Sequence, residues 1–417
     1  MADNPAVIAF KTDAWKSPDF VRGYAGNVEA NVSANRLKNA LEADLIARWV
    51  VGTDIIDVGI GTGRGSIPLA RAGAKVTGID SSQAMLDRTR LDAAPLQLDL
   101  RVGDIAKLPV SDHSFDSLIS LNVAVHFPHW QEYLAEWKRV VRPGGRMIFD
   151  IHGMEHAEAV AKLIGAPLEE LMAPEAAPVA FLARLRWREL VDYCNANDLE
   201  VEAIIPYGLF FGSGQLNFQL NNGLARGTPL DRILTAMTVD EQFFEFGRFM
   251  EHELIGRLTP ETTGRLMIVI KNAPNRAANK QFVERTEALN AMFAEGPTFA
   301  KLAPYLALES GAWRSEAARH LAYEPNLVFA FMLMSAMPGA WFTSDFIDAA
   351  FGPEIGLRLR QLRQLREIDS AIEDLGVKWY EGQIATYRGV TLGALARYAV
   401  TENLVVHWEK LCSEVFG

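Results

Sequence analysis

The segment Asp57-Val58-Gly59-Ile60-Gly61-Thr62-Gly63 constrains this chain more than any other stretch. It follows an apolar run and precedes a helical pattern. Three glycines in five positions allow a tight turn and let a ligand approach the main chain, and the N-terminus of a following helix offers N–H donors. Dinucleotide-binding turns use a related pattern, G-x-G-x-x-G. Counted from Gly59, that third glycine would fall at position 64, which is Arg64. The pattern here is G-x-G-x-G, with Gly65 beyond it.

Around this turn, residues 53–151 alternate short apolar runs with helical patterns, the signature of a parallel sheet with crossover helices. The runs predict strands near 53–59, 74–80, 97–102, 115–121 and 145–151, and helices near 63–72, 82–91 and 129–142. Pro143, Gly144 and Gly145 are expected to stop the last helix and turn the chain into the fifth strand. Further on, 152–185 reads as a helical insertion, 186–197 as a helix, 200–206 as a strand, 207–262 as a second mostly helical insertion and 265–271 as a strand. The predicted fold is α/β: a Rossmann-like, seven-stranded, mostly parallel sheet with an antiparallel last strand and helical insertions. A mainly α-helical C-terminal domain follows.

Two acidic elements accompany the turn. Asp80 closes the second strand, 19 residues after Gly61. A carboxylate there can accept both ribose hydroxyls of an adenosine. It can equally belong to a helix N-cap, since Ser81 and Ser82 follow it. Asp104, in Gly103-Asp104-Ile105 after the third strand, can accept a hydrogen bond from an adenine amino group while Ile105 packs on the ring. All three elements sit at carboxyl ends of strands, where open parallel sheets bind ligands.

In this order and spacing, DVGIGTG, VTGIDSSQAML, GDIAKLPV, FDSLISLNVAVHF and RVVRPGG before MIFDI resemble the class I S-adenosylmethionine-dependent methyltransferase family. The resemblance covers roughly residues 10–272. It implies S-adenosylmethionine as cofactor and a small-molecule acceptor. It further implies that Gly59, Gly61 and Gly63 face the methionine part of the cofactor, with Asp57 beneath it and within reach of its amino group. Asp80, with Ser81, would hold the ribose, and Asp104 and Ile105 the adenine. Met85 would pack on the adenine, or stand in the core. Leu121 and Asn122 would line the methionine end, and Tyr24 would close over the cofactor.

Methyl transfer to oxygen needs a proton acceptor, and histidine suits that near neutral pH. His126, just after the fourth strand, is the first candidate, with a pocket-shaping role as the equal alternative. His152, then His156, just after the fifth strand, come next, while His129 reads as a helix-start residue. Leu121-Asn122-Val123-Ala124 lacks the Pro-Pro-aromatic signature of nucleic-acid amino methyltransferases. Pro206 to Phe211 and Gln215 to Asn222 supply aromatic and amide side chains suited to a polar acceptor of sugar or natural-product type. Transfer of another group from the same cofactor, and non-catalytic binding by an assembly protein, are the alternatives.

The net charge of −11, acidic on both sides of residue 272, disfavours nucleic acid as partner. Cys194 and Cys412 are far apart, so neither a disulfide framework nor a metal site is expected. The N-terminus lacks a signal pattern, and the longest apolar run, Leu327 to Met337, is about half a membrane span. A cytoplasmic protein without membrane attachment is expected. Asn272 to Arg276 reads as a boundary between a methyltransferase domain, 1–272, and a helical domain, 277–417. The latter is a candidate for homodimerisation or for completing the acceptor pocket. In it, positions from Ile355 to Leu375 form an apolar stripe, and 342–390 could hold a winged-helix unit.

Overall fold

The computed structural model describes residues 34–164 except Pro128, then 183–209, 241–294 and 299–307, with a few isolated positions besides. Tyr24, the string Gln215 to Asn222, the run Leu327 to Met337 and most of 342–390 lie outside the described residues. The chain divides into two compact units. The first is Met1–Ala30, Asn39–Tyr207 and Thr259–Thr286; the second is Asn31–Lys38, Gly208–Leu258 and Glu287–Gly417.

The first unit is built on one sheet. Its strands are β1 (Asp54–Val58), β2 (Lys75–Asp80), β3 (Asp99–Val102), β4 (Phe115–Ser120), β5 (Val141–Gly153), β6 (Arg184–Leu185), β7 (Glu200–Tyr207) and β8 (Arg265–Lys271). The order is β3-β2-β1-β4-β5-β8-β7, with the two-residue β6 pairing the end of β5. β8 runs antiparallel to both neighbours and the other pairings are parallel. The seven expected strands are all present, and β6 is an eighth inside a stretch read as helical. Its existence depends on a pairing with His152 and Gly153 across 30-odd residues, which no local pattern announces.

The helices are α1 (Ala34–Trp49), α2 (Ile67–Arg71), α3 (Gln83–Ala93), α4 (Trp130–Val140), α5 (Met154–Ile164), α6 (Trp187–Ala196), α7 (Glu241–Glu253), α8 (Arg276–Ala294) and α9 (Phe299–Leu306). α4 buries Trp130, Tyr133, Leu134, Trp137 and Val140, one stripe at three- and four-residue steps, and exposes Gln131, Glu132 and Ala135. α6 does the same with Trp187, Leu190, Val191 and Cys194. Both pack into the main core with Met147, Phe149, Ile268 and Ile270. Each such side chain contributes about 1.5–3 kcal/mol by leaving water. Burial pushes the Cys194 thiol up to about 12, so it is an inert core group.

Two details differ from the sequence reading. α2 spans Ile67–Arg71 and not 63–72, because Gly63 to Ser66 form turns in which both Ser66 and Ile67 donate to the Gly63 carbonyl. β5 begins at Val141, before Pro143. There Asn272 clamps the irregular Pro-Gly-Gly segment. It accepts from the Gly144 N–H (2.7 Å), donates its own N–H to the Gly145 carbonyl (2.8 Å) and gives its side-chain amide to the Val141 carbonyl (2.8 Å).

β7 is an edge strand, and Asn279 on α8 covers it. Its side-chain oxygen accepts the Val201 N–H (2.8 Å) and its amide donates to the Leu199 carbonyl (3.0 Å), in place of a neighbouring strand. Phe282 of α8 meets Trp187 edge-on, with ring centroids 6.2 Å apart. In the second unit, α7 carries Glu241, whose carboxylate pairs with Arg36, and the Arg36 guanidinium lies 3.8 Å from the centre of the Phe244 ring. Among the described residues no helix is long and apolar enough to cross a membrane.

Asn279 is fully buried, so Asn279→Ala orphans one backbone donor and one acceptor. Each orphan costs about 1–3 kcal/mol. Urea unfolding should show a loss of about 2 kcal/mol or more; a change below roughly 0.5 kcal/mol would mean that water satisfies the β7 edge.

Candidate active site

The glycine turn leaves β1 at its carboxyl end. Gly59, Gly61 and Gly63 have φ of +71°, +55° and +75°, the left-handed region that favours glycine. The three positions differ in what surrounds them. A side chain on Gly59 would collide with Val123, and one on Gly63 with Ile67 and Thr89. At Gly61 the nearest atom to a hypothetical Cβ is the Gly59 carbonyl oxygen at 3.9 Å, so open space begins there.

The turn is held rigidly. Asp80 Oδ2 accepts the Gly61 N–H (2.9 Å) and Oδ1 accepts the Ser82 N–H (2.8 Å). The Gly61 carbonyl accepts the Thr89 hydroxyl from α3. Ser82, not Asp80, caps α3, since its hydroxyl accepts the Met85 N–H at 3.3 Å. Asp80 therefore locks the turn. The Gly103 N–H donates to the Asp80 carbonyl (3.0 Å), which brings the end of β3 to the same place.

Beyond β3, Asp104 is exposed and accepts the Ala106 N–H (2.8 Å), while Ile105 is half-buried and its carbonyl takes the Trp137 indole N–H (3.2 Å). Ser81 is exposed, whereas Met85 is buried.

Asp57 lies within the sheet beneath the turn and is almost wholly buried. Burial drives its carboxyl up to about 7, against the pull of the Ser66 hydroxyl, and the Asp80 charge adds to the rise. Burial likewise raises Asp80, opposed by the N–H groups of Ser82, Gly61 and Ser81.

After β4, Leu121 lies over Gly65. Asn122 is left-handed, with φ +56°, a conformation that costs energy for any residue with a side chain. It is held there from both sides. Its N–H donates to Asp150 Oδ1, and its side-chain oxygen accepts Arg265 Nη1 at 2.7 Å. Arg265 also donates to Asp150 Oδ2 (2.8 Å). The Tyr207 hydroxyl lies 3.5 Å from that oxygen and donates to Glu42 Oε1 (3.1 Å), and Glu42 Oε2 takes Arg64. Glu42, Asp150 and Tyr207 are each at most 1% exposed. The sequence reading missed this buried chain. Its one local signal was Asp150, a charge inside the apolar run Met147 to Ile151.

The candidate bases separate. His126 ends a single 3-10 turn, Ala124–His126, and is half-buried. His152 is 2% exposed and stands in β5 between Arg184 of β6 and Arg265 of β8. His156 is buried on α5, its Nδ1–H donating to the Glu261 carbonyl (2.9 Å), and His129 occupies the N-cap position of α4. Among the described residues no group of three or more His, Cys, Asp or Glu could hold a metal.

Residues 56–149 match the family model described as a methyltransferase domain. The sheet order, the glycine turn and this match identify residues 56–149 as a methyltransferase domain of the class I S-adenosylmethionine-dependent type, with S-adenosylmethionine as that family's cofactor. Phthiotriol/phenolphthiotriol dimycocerosates methyltransferase 1 of Mycobacterium ulcerans is 34% identical over 128 residues, 30% of this chain and 47% of that protein. Ubiquinone biosynthesis O-methyltransferase of Alkalilimnicola ehrlichii is 31% identical over 134 residues, 31% of this chain and 54% of that one. The similarity thus spans about half the length of these relatives. Among solved structures, magnesium protoporphyrin IX methyltransferase from Synechocystis with bound S-adenosylhomocysteine gives a TM-score of 0.37 at 20% identity, covering 48% of this chain and 91% of that one.

The chain's residues fit that cofactor. Gly61 leaves room, and Asp57 and Asp80 suit a ligand that carries an ammonium and a sulfonium charge. A cation placed over Asp57 favours its ionised form, so binding should release a proton from a group poised at about 7. Affinity for S-adenosylmethionine should rise about tenfold from pH 6 to pH 8, and Asp57→Asn should flatten that rise. Without ligand the sign is opposite. A carboxyl raised in the folded state stabilises most below its unfolded value, near 3.8, and that contribution is lost as pH climbs through about 7. Asp57→Asn should therefore melt higher than wild type at pH 8. Calorimetry and thermal melts check both; parallel pH slopes in the two proteins would show that Asp57 does not titrate.

Proposed function

We propose that the chain transfers the methyl group of S-adenosylmethionine to an oxygen or nitrogen of a small polar acceptor of sugar or natural-product type. The observation that carries this reading is the buried Asp57 carboxylate directly beneath an open glycine turn. A pyrophosphate would be repelled there, and α2, at five residues, opens only at Ile67. A cationic ligand is attracted. The name of the Alkalilimnicola relative, an O-methyltransferase, supports oxygen as acceptor atom.

In this reading Asp57 reaches the cofactor's amino group, and Gly59, Gly61 and Gly63 leave room for its methionine part. Asp80, with Ser81 beside it, takes the ribose. Asp104 and Ile105 hold the adenine, Leu121 and Asn122 bound the methionine end, and Tyr24 closes over the site. Met85, being buried, acts through packing beneath the adenine. The cofactor supplies an electrophilic methyl carbon. The protein's part is to align the acceptor atom about 3 Å behind that carbon, exclude water and take the acceptor's proton. We assign that last role to His126, half-buried in the turn after β4. His152, nearly sealed in β5, is the second candidate. The partner set is a small-molecule acceptor, without nucleic acid or membrane, in a cytoplasmic protein. Residues 277–417 complete the acceptor pocket or join two copies.

Incubating the full chain with S-adenosylmethionine and a metabolite library should yield S-adenosylhomocysteine and a product heavier by one methyl group. Cofactor binding with no product from any acceptor class would favour an assembly role; a different mass gain would mean that another group is transferred. His126→Ala should leave cofactor affinity near wild type and lower turnover by about a hundredfold. Undiminished turnover would pass the role to His152 or to no base.

A further inference from the structure

The chain of buried polar groups that ends at Asn122 begins in the glycine turn. Arg64 directly follows Gly63, and its Nη1 donates to Glu42 and to Asn39 Oδ1 (3.4 Å). Glu42 lies on α1, Tyr207 at the end of β7, Asp150 on β5 and Arg265 at the start of β8. The groups form two ion pairs, Arg64–Glu42 and Arg265–Asp150, with one hydroxyl between them. Tyr207 reaches Glu42 at 3.1 Å and Asp150 at 3.5 Å, 165 and 57 positions away along the chain. The far pair fixes the left-handed Asn122, and the next residue, Val123, fills the space over Gly59. The glycine turn is therefore gripped from two sides, by Arg64 and by Val123, and both grips lead to the same hydroxyl.

We propose that Tyr207 is a positioning residue for the cofactor: its hydroxyl couples the Arg64 end of the glycine turn to the Asn122 turn, so that both walls of the site adopt their binding geometry together. This rests on the cofactor reading above. Tyr207, 1% exposed, acts through the groups around it. Its burial and its bond to Glu42 are what a coupling element needs, since in a dry interior a hydrogen bond between charged pairs is strong and its geometry is unique.

Tyr207→Phe is the direct test, because it removes the joint and leaves each ion pair whole. The readout is calorimetric binding of S-adenosylhomocysteine at a temperature where every variant is folded. Wild-type binding establishes the cofactor reading, and no wild-type binding would sink that reading first. With wild-type binding present, Tyr207→Phe should weaken affinity about tenfold. Leu190→Ala, a core change on α6, should lower the melting temperature without weakening affinity. Arg64→Lys and Asn122→Gly should be non-additive in wild type and additive in the Tyr207→Phe background. Affinity within twofold of wild type in Tyr207→Phe, or a weakening in Leu190→Ala as large as that in Tyr207→Phe, would overturn the proposal. Should Tyr207→Phe fail to fold, the Arg64→Lys and Asn122→Gly pair in wild type decides: non-additive losses of affinity support the coupling and additive ones refute it.

Discussion

The hydrogen bond from the Gly61 N–H to the Asp80 carboxylate is the constraint on which the site depends. A turn of three left-handed glycines has little conformational preference of its own, and glycine loses more freedom on folding than any other residue. Something must hold it. Asp80 does so from the neighbouring strand, Thr89 grips the carbonyl of the same residue, and Ile79 accepts the N–H groups of Gly59 and Ile60. The turn is thus ordered before a ligand arrives, and binding need not supply that ordering entropy.

The same carboxylates set the electrical character of the cleft. Asp57 and Asp80 are both driven upward by burial, and the Asp80 charge makes Asp57 harder still to ionise. Two acids in this position disfavour an anionic ligand and leave a proton to be displaced by a cationic one. A helix dipole would have offset this, but the short α2 begins at Ile67, after a run of turns. The distinction between G-x-G-x-G and G-x-G-x-x-G is therefore electrostatic as well as steric.

The strands were legible because buried parallel strands read as short, mostly apolar runs: Ile55 to Val58, broken only by Asp57, Val76 to Ile79, and Leu118 to Ile119. The glycine turn was legible because only glycine relieves a positive φ at three neighbouring places. α1 went unread, although Leu37, Leu41 and Leu45 repeat at four-residue steps and are buried, because charged residues interrupt the pattern. β6 could not be read, since two residues carry no period and are extended only because His152 and Gly153 lie beside them. In sequence, Asp80 read as a ribose acceptor or as part of an N-cap with Ser81 and Ser82; in the structure Ser82 caps α3 and Asp80 locks the turn. These are two functions on two residues.

Glu42, Arg64, Tyr207 and Arg265 were illegible for a different reason. Nothing local marks them, and they meet only when α1, the glycine turn, β7 and β8 are assembled. Asp150 is the exception, and it shows what such a signal means. A carboxylate in the middle of β5 costs several kcal/mol to desolvate unless it is compensated, so the fold must bring it donors. It brings two, the Asn122 N–H and Arg265, with the Tyr207 hydroxyl 3.5 Å away. Arg265 in turn must stay charged inside the protein, which the Asp150 carboxylate makes possible. Replacing the set by apolar residues of similar volume would cost little stability. What that replacement would lose is the hold that Asp150 and Arg265 have on the left-handed Asn122. A buried charge retained at a stability cost next to a strained residue at the mouth of the sheet is best explained by what the strained residue does there.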